Sequence, residues 1–183
     1  LQRLSISLKL SLLVGIAILA FLITQGFNFY VQNNNASRLH EVNDQLHPMM
    51  EKATVNLGQL ELMEAQINAA VTTGNEERLA ETETYYNTIQ TNLDELQDLA
   101  PQMSDRFGQL SKDLERYYSE ATRIASAFIE GDADMRALGK DASANAKRLK
   151  ELMADMTTVR DEARSAFSDS IDETLVTTER STT

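Results

Sequence analysis

From residue 39 to residue 175 the apolar residues recur at every third or fourth position, and only three short stretches break the pattern: TTGN at 72–75, a proline at 101 and EGD at 130–132. A step of three and four keeps side chains on one face of a helix, because the α-helix turns once in about 3.6 residues. With seven Gly and two Pro in 183 residues, the chain has few other places to stop a helix. The stripes read Leu39, Val42, Leu46, Met49, Ala53, Asn56, Leu60, Met63, Ile67 and Ala70 in the first segment, and Leu79, Thr82, Tyr86, Ile89, Leu93 and Leu96 in the second. The third carries Met103, Phe107, Leu110, Leu114, Tyr117, Ala121, Ile124 and Phe128. The fourth runs Met135, Leu138, Ala142, Asn145, Leu149, Leu152, Met156, Val159, Ala163 and Ala166, then drifts to Phe167, Ile171 and Leu175.

Four such stripes joined by turns of two to four residues bury their apolar faces only against one another. The expected fold is therefore all-α: an antiparallel up-down-up-down four-helix bundle with helices over about 32–73, 76–100, 102–130 and 133–180. Asn75 is placed to cap the second helix, with Glu76 and Glu77 at the positive end of its dipole. Pro101 stops that helix and suits the start of the next. Asp132 or Asp134 opens the fourth. His47 and Pro48 predict a kink in the first helix, with one of Met49 and Met50 in the core and the other at its edge.

Ahead of the bundle lies LSLLVGIAILAFLITQGFNFYV, an uncharged run of 22 residues from Leu10 to Val31. As a helix it covers roughly 30 Å, the thickness of a bilayer's hydrocarbon core. A cleaved signal peptide would share the basic start, but it has a shorter apolar centre and a small-x-small cleavage site, which this run lacks. The reading is a cytoplasmic end at 1–9, a transmembrane helix at 10–31 continuous with the first bundle helix, and an outer domain at 32–183. Arg3 and Lys9 precede the span and no cation follows it before Arg38, which places the short N-terminal end in the cytoplasm. The first outer helix rises about 43 residues, roughly 65 Å, to Gly74. The fourth must descend as far, so a second span is expected after Thr183.

The formal net charge is −11, with every one of the 28 Asp and Glu falling after the apolar run. That excludes nucleic acid and anionic lipid headgroups as partners of the outer domain, since both require a basic face. Cysteine is absent.

Together, the basic start and first span, LHPMM early in the first outer helix, the TTGN hairpin, FIEGD between the third and fourth helices and the long last helix resemble the sensor region of a bacterial methyl-accepting chemotaxis protein of the four-helix-bundle type. The same bundle resembles the sensor regions of transmembrane histidine kinases and diguanylate cyclases. The resemblance implies a homodimer in the bacterial inner membrane whose periplasmic domain binds a small molecule or a solute-loaded binding protein and shifts its fourth helix. In the amino-acid receptors of that family, arginines on the first helix grip the ligand carboxylate. Here that helix has only Lys52 after Arg38, so a site of that kind is not expected. A membrane-anchored helical scaffold without a ligand is the alternative of a different class.

No catalytic or cofactor motif is present. His40 and His47 stand outside any metal-ligand spacing, and there is no phosphate loop or nucleophile elbow, so neither catalysis nor a cofactor is expected. Counting depth from the hairpins puts Tyr86, Tyr117, Asn145 and Met63 near one layer, roughly 15 to 20 Å from the distal tip. Such a layer is either a self-satisfied polar plane that fixes helix register or a ligand pocket formed by Tyr86, Tyr117 and Asn145 with Tyr85 as its gate. Asn56 is the other polar group in a core slot, expected near Leu93 and Leu149. Arg116, Arg123, Arg160 and Arg164 have carboxylates within a helical turn and read as surface pairs.

Overall fold

The computed structural model describes residues 18–19, 21–26, 29–30, 33, 42–131 and 134–181, with side chains as far as 176. Among these residues there is no strand. The chain forms two compact units, Asn43–Phe167 and a second made of Leu1–Val42 with Ser168–Thr183.

The larger unit holds α1 (His47–Thr73), α2 (Glu76–Leu99), α3 (Ser104–Glu130) and most of α4 (Met135–Ser181). Each boundary has a chemical cause. At the end of α1, Gly74 sits at φ 64° and ψ 29°, the left-handed conformation that glycine alone enters without a Cβ penalty. Its N–H and that of Asn75 then satisfy the last carbonyls of α1. Asn75 turns to extended backbone and accepts a hydrogen bond from the Arg78 N–H at 3.1 Å, as expected of a cap. Ala100 ends α2, and Pro101–Met103 form a single 3-10 turn before α3. The carboxylate of Asp134 caps α4 by accepting from the N–H groups of Arg136 and Ala137.

A π-helical turn over Val42–Leu46 precedes α1, and Pro48 lies in the first turn of α1. Proline has no N–H for the carbonyl four residues back, and a wider turn absorbs that mismatch. The regular first helix therefore starts at His47, at the kink expected of His47 and Pro48, and residues 32 and 34–41 of the expected helix lie outside the described residues. Met49 is buried and Met50 packs at the core edge.

The neighbouring helices are antiparallel, as the side-chain bonds show. Lys52 pairs with Glu95, and one turn along α1 the Asn56 Oδ1 accepts from Asn92 Nδ2 at 2.7 Å. Between α2 and α3, Gln90 donates to the Ser111 carbonyl at 3.3 Å, and Thr82 meets the Tyr118 hydroxyl at 3.3 Å. Between α3 and α4 the order is Arg106 with Glu162, Tyr117 with Asn145, and Arg123 with Asp141. In each series the residue numbers rise on one helix as they fall on the other.

All four helices contribute to one core. Leu60, Met63, Ile89, Leu93, Phe107, Leu114, Met156 and Val159 have essentially no exposed surface. Each such side chain contributes about 1.5–3 kcal/mol of transfer free energy. The seven α1 stripe positions from Met49 to Ala70 are all buried. On α4 the stripe is narrower than expected: Met135 is 61% exposed and Ala166 is also exposed, because burial begins a turn into the helix at Leu138 and passes to Phe167 as the 3.6-residue pitch drifts from a seven-residue repeat.

In the smaller unit, residues 18–19, 21–26, 29–30 and 33 are helical. Ile18, Leu19, Phe21, Leu22, Ile23, Phe29 and Tyr30 are each more than half exposed. Residues 1–17, 20, 27–28, 31–32 and 34–41 lie outside the described residues, and with them the cytoplasmic end and much of the expected span. Among the described residues no helix is long and apolar enough to cross a membrane. Continuity of a membrane helix with α1 is thus not shown.

Candidate functional site

Where α1, α3 and α4 meet, the core opens into a cavity of about 150 Å³. The cause is residue size. Here α3 presents Ala121 and Ala125 and α4 presents Ala142 and Ala146. Alanines four apart on two facing helices present little side-chain volume to fill the space between them. Ile67, Val71, Ile124, Phe128 and Leu149 form the apolar wall.

The polar groups gather at Tyr117 and Asn145, which the structure brings together as the depth count requires. Asn145 is only 4% exposed. Its Nδ2 donates to the Tyr117 carbonyl at 3.1 Å, which assigns the amide orientation, since a carbonyl needs a donor. The other end of the amide, Oδ1, is buried and has no partner. An orphaned buried polar atom costs about 1–3 kcal/mol, and the Asn56 Nδ2 and the Gln66 Oε1 are likewise buried without a partner among the described residues. Glu64, half-buried on α1, lines the same cavity, and Asn68 stands exposed beside it.

Burial pushes the Tyr117 phenol above its ordinary value, and the nearby Glu64 carboxylate raises it further. The sign of the linkage follows. Below about pH 10 the phenol is neutral both folded and unfolded; above it the unfolded chain ionises while the fold resists, so stability falls as pH rises. The expected result of a tyrosinate absorbance titration is that Tyr117, one of five tyrosines, ionises only together with unfolding, and that Tyr117→Phe weakens the alkaline loss of stability. Five tyrosines titrating alike in the folded chain would contradict this.

Tyr85 and Tyr86 are placed elsewhere. Both are half-buried on α2 and neither lines the cavity. The Tyr86 ring stacks on Tyr118, centroids 4.5 Å apart and 12° from parallel, and its hydroxyl accepts from Gln90 at 3.0 Å. Ser111 donates back to Gln90 at 2.6 Å, which closes a network between α2 and α3. The pocket of the sequence reading thus divides, with Tyr117 and Asn145 in the cavity and Tyr86 in a satisfied polar seam. Met63 is fully buried in the core. Sequence reasoning placed Ala121 and Ala142 on the core stripes but missed Glu64, Ala125 and Ala146, although the A-x-x-x-A spacing at 121 and 125 and again at 142 and 146 was there to be read.

The other polar groups of the sequence reading lie outside the cavity lining. Asn56 is fully buried and bonded to Asn92, the neighbour of Leu93, close to the expected level. Arg123 bonds both Glu120 on its own helix and Asp141 on α4. Its hydrogen bond holds the half-buried Glu120 carboxyl below the usual range. Arg160 pairs with Asp161, and Arg116 shares a surface depression with Asp113, Glu151 and Asp155. Exposed pairs of this kind contribute about 0–1 kcal/mol each. Among the described residues no three His, Cys, Asp or Glu stand close enough to hold a metal ion.

Comparison with models of known families, with curated proteins and with solved structures gives no significant match.

Proposed function

We propose that this chain is the sensor region of a bacterial transmembrane receptor of the chemoreceptor kind. In this reading an up-down-up-down four-helix bundle follows a membrane helix at 10–31 and stands in the periplasm. It binds a small molecule and passes the signal on through α4. The observation that carries the reading is the cavity between α1, α3 and α4, lined by Asn145, whose buried Oδ1 has no partner among the described residues. A fold kept for structure alone gains by filling such a space; a sensor keeps it open for the ligand. The 22-residue apolar run supplies the membrane anchor. The 47 residues of α4 contain no proline, so displacement at the cavity is carried along its axis.

Because the chain has no cysteine, one introduced thiol is a unique label. Ser119→Cys, at an exposed site on α3, should react with a membrane-impermeant maleimide in intact cells after outer-membrane permeabilisation. Ser5→Cys should react only after lysis. The reverse pattern, or equal labelling of both, would remove the membrane receptor from consideration.

The receptor is a homodimer in this reading, joined along α1. Val55 and Leu62 are 40% and 48% exposed, one heptad apart, on a face turned away from the core stripe. Gly58 and Ala65 lie between and beyond them, and a Cβ at Gly58 would meet open space within this chain. Large residues alternating with small ones suit close approach of a second α1. Leu62→Glu should convert the dimer to monomer in sedimentation while costing the fold less than about 0.5 kcal/mol. An unchanged sedimentation coefficient would rule out this dimer face.

A further inference from the structure

We propose that the cavity takes a small organic amine: a cationic ammonium head against Glu64 and the Asn145 Oδ1, and a short apolar body among Ile67, Val71, Ile124 and Phe128. The inference rests on the reading of the cavity as a ligand site and adds the chemical class of the ligand.

Three features of the site select that class. The first is size. A space of about 150 Å³ is comparable to an engineered protein cavity that accepts benzene, so the body has the bulk of one small ring or a short branched chain. The second is the sign of the polar groups. The Asn145 Nδ2 is already committed to the Tyr117 carbonyl, which leaves Oδ1 as a pure acceptor. Glu64 adds a carboxylate that pairs with no lysine or arginine among the described residues, and no Lys, Arg or His lines the cavity. An anionic ligand would meet the like charge of Glu64 with only neutral donors, the Tyr117 hydroxyl and the amides of Asn68 and Asn145, to receive it. A hydrocarbon would leave Oδ1 as poorly paired as before. An ammonium group carries up to three N–H donors and a positive charge, and it supplies what both oxygens lack.

The third feature is the aromatic lining. Tyr117 and Phe128 line the cavity, and an aromatic ring within about 6 Å attracts a cation. The chain's net charge of −11 also raises the local concentration of cations over anions. Exposure of Asn68 at the edge of the cavity and partial exposure of Glu64 give the ligand a polar way in.

The test uses the full 183-residue chain and three probes of one size: benzylamine, benzyl alcohol and benzoate. Thermal shift and calorimetric titration should show benzylamine binding, benzyl alcohol binding more weakly and benzoate not binding. Glu64→Gln keeps the shape and removes the charge. It should weaken benzylamine by roughly ten- to a hundred-fold and leave benzyl alcohol unchanged, with circular dichroism unaltered. Benzoate or benzyl alcohol binding as tightly as benzylamine would overturn the amine assignment while leaving the cavity a ligand site. The same holds if Glu64→Gln leaves benzylamine unaffected. Failure of all three probes to bind would overturn the assignment together with the reading of the cavity beneath it.

Discussion

Phe107→Ala is expected to lower the stability of the bundle by about 3–5 kcal/mol, the usual cost of truncating a fully enclosed aromatic residue. Phe107 has no exposed surface and heads the completely buried side chains by volume. It sits in the first turn of α3, directly after Ala100 and the 3-10 turn at Pro101, where α2 hands the chain to α3. Ala100 is itself fully buried, and Met103 of the turn packs against the same core. Part of the cost is lost transfer free energy and part is the void, which close-packed neighbours relax into only partly. Since a domain of this size is stable by roughly 5–15 kcal/mol, the variant loses a large share of the total. Urea denaturation followed by helix signal should show a lower midpoint with an unchanged slope. A loss under about 1 kcal/mol would mean that the stripe of α3 does not face the common core.

Much of the helical fold was legible because its information is local. The periodic stripe of α1 identifies every buried residue from Met49 to Ala70. Gly74, Asn75, Asp134 and Pro101 mark the ends by chemistry acting within a few residues of themselves. The π turn before Pro48 likewise follows from a missing N–H. The site was legible only in part, and the reason is geometric. Counting residues from a hairpin gives height along the bundle but not direction around it. The height of Tyr86 was read correctly, since it stacks on Tyr118, the neighbour of Tyr117. Its direction was not, since it faces the seam of α2 and α3 while Tyr117 faces α1 and α4. A cavity is also a property of three helices at once. No single stripe announces that Ala121, Ala125, Ala142 and Ala146 will meet, nor that Glu64 will border the gap they leave.

The second large effect concerns Asn145. Leucine has nearly the shape of asparagine and no polar atoms, so Asn145→Leu removes the orphaned Oδ1 and fills part of the cavity. The amide's one bond goes to a carbonyl inside α3, which keeps its own helical partner four residues on. Little is therefore lost when the amide goes, and the cost of an unpaired buried acceptor is recovered. The expected gain is about 1 kcal/mol, which raises the melting temperature by roughly 4 °C for a domain of this size. Binding of benzylamine should disappear at the same time, because the acceptor is gone and the space is occupied. A more stable but unresponsive variant is the signature of a residue retained for function at the expense of stability.

The melting temperature of Asn145→Leu, with and without benzylamine, tests most directly whether this position serves a ligand or the fold. The account predicts a value equal to or above that of the parent chain and no further rise with the amine. A fall approaching that of Phe107→Ala would contradict it, and would show that Asn145 exists to hold α3 and α4 in register.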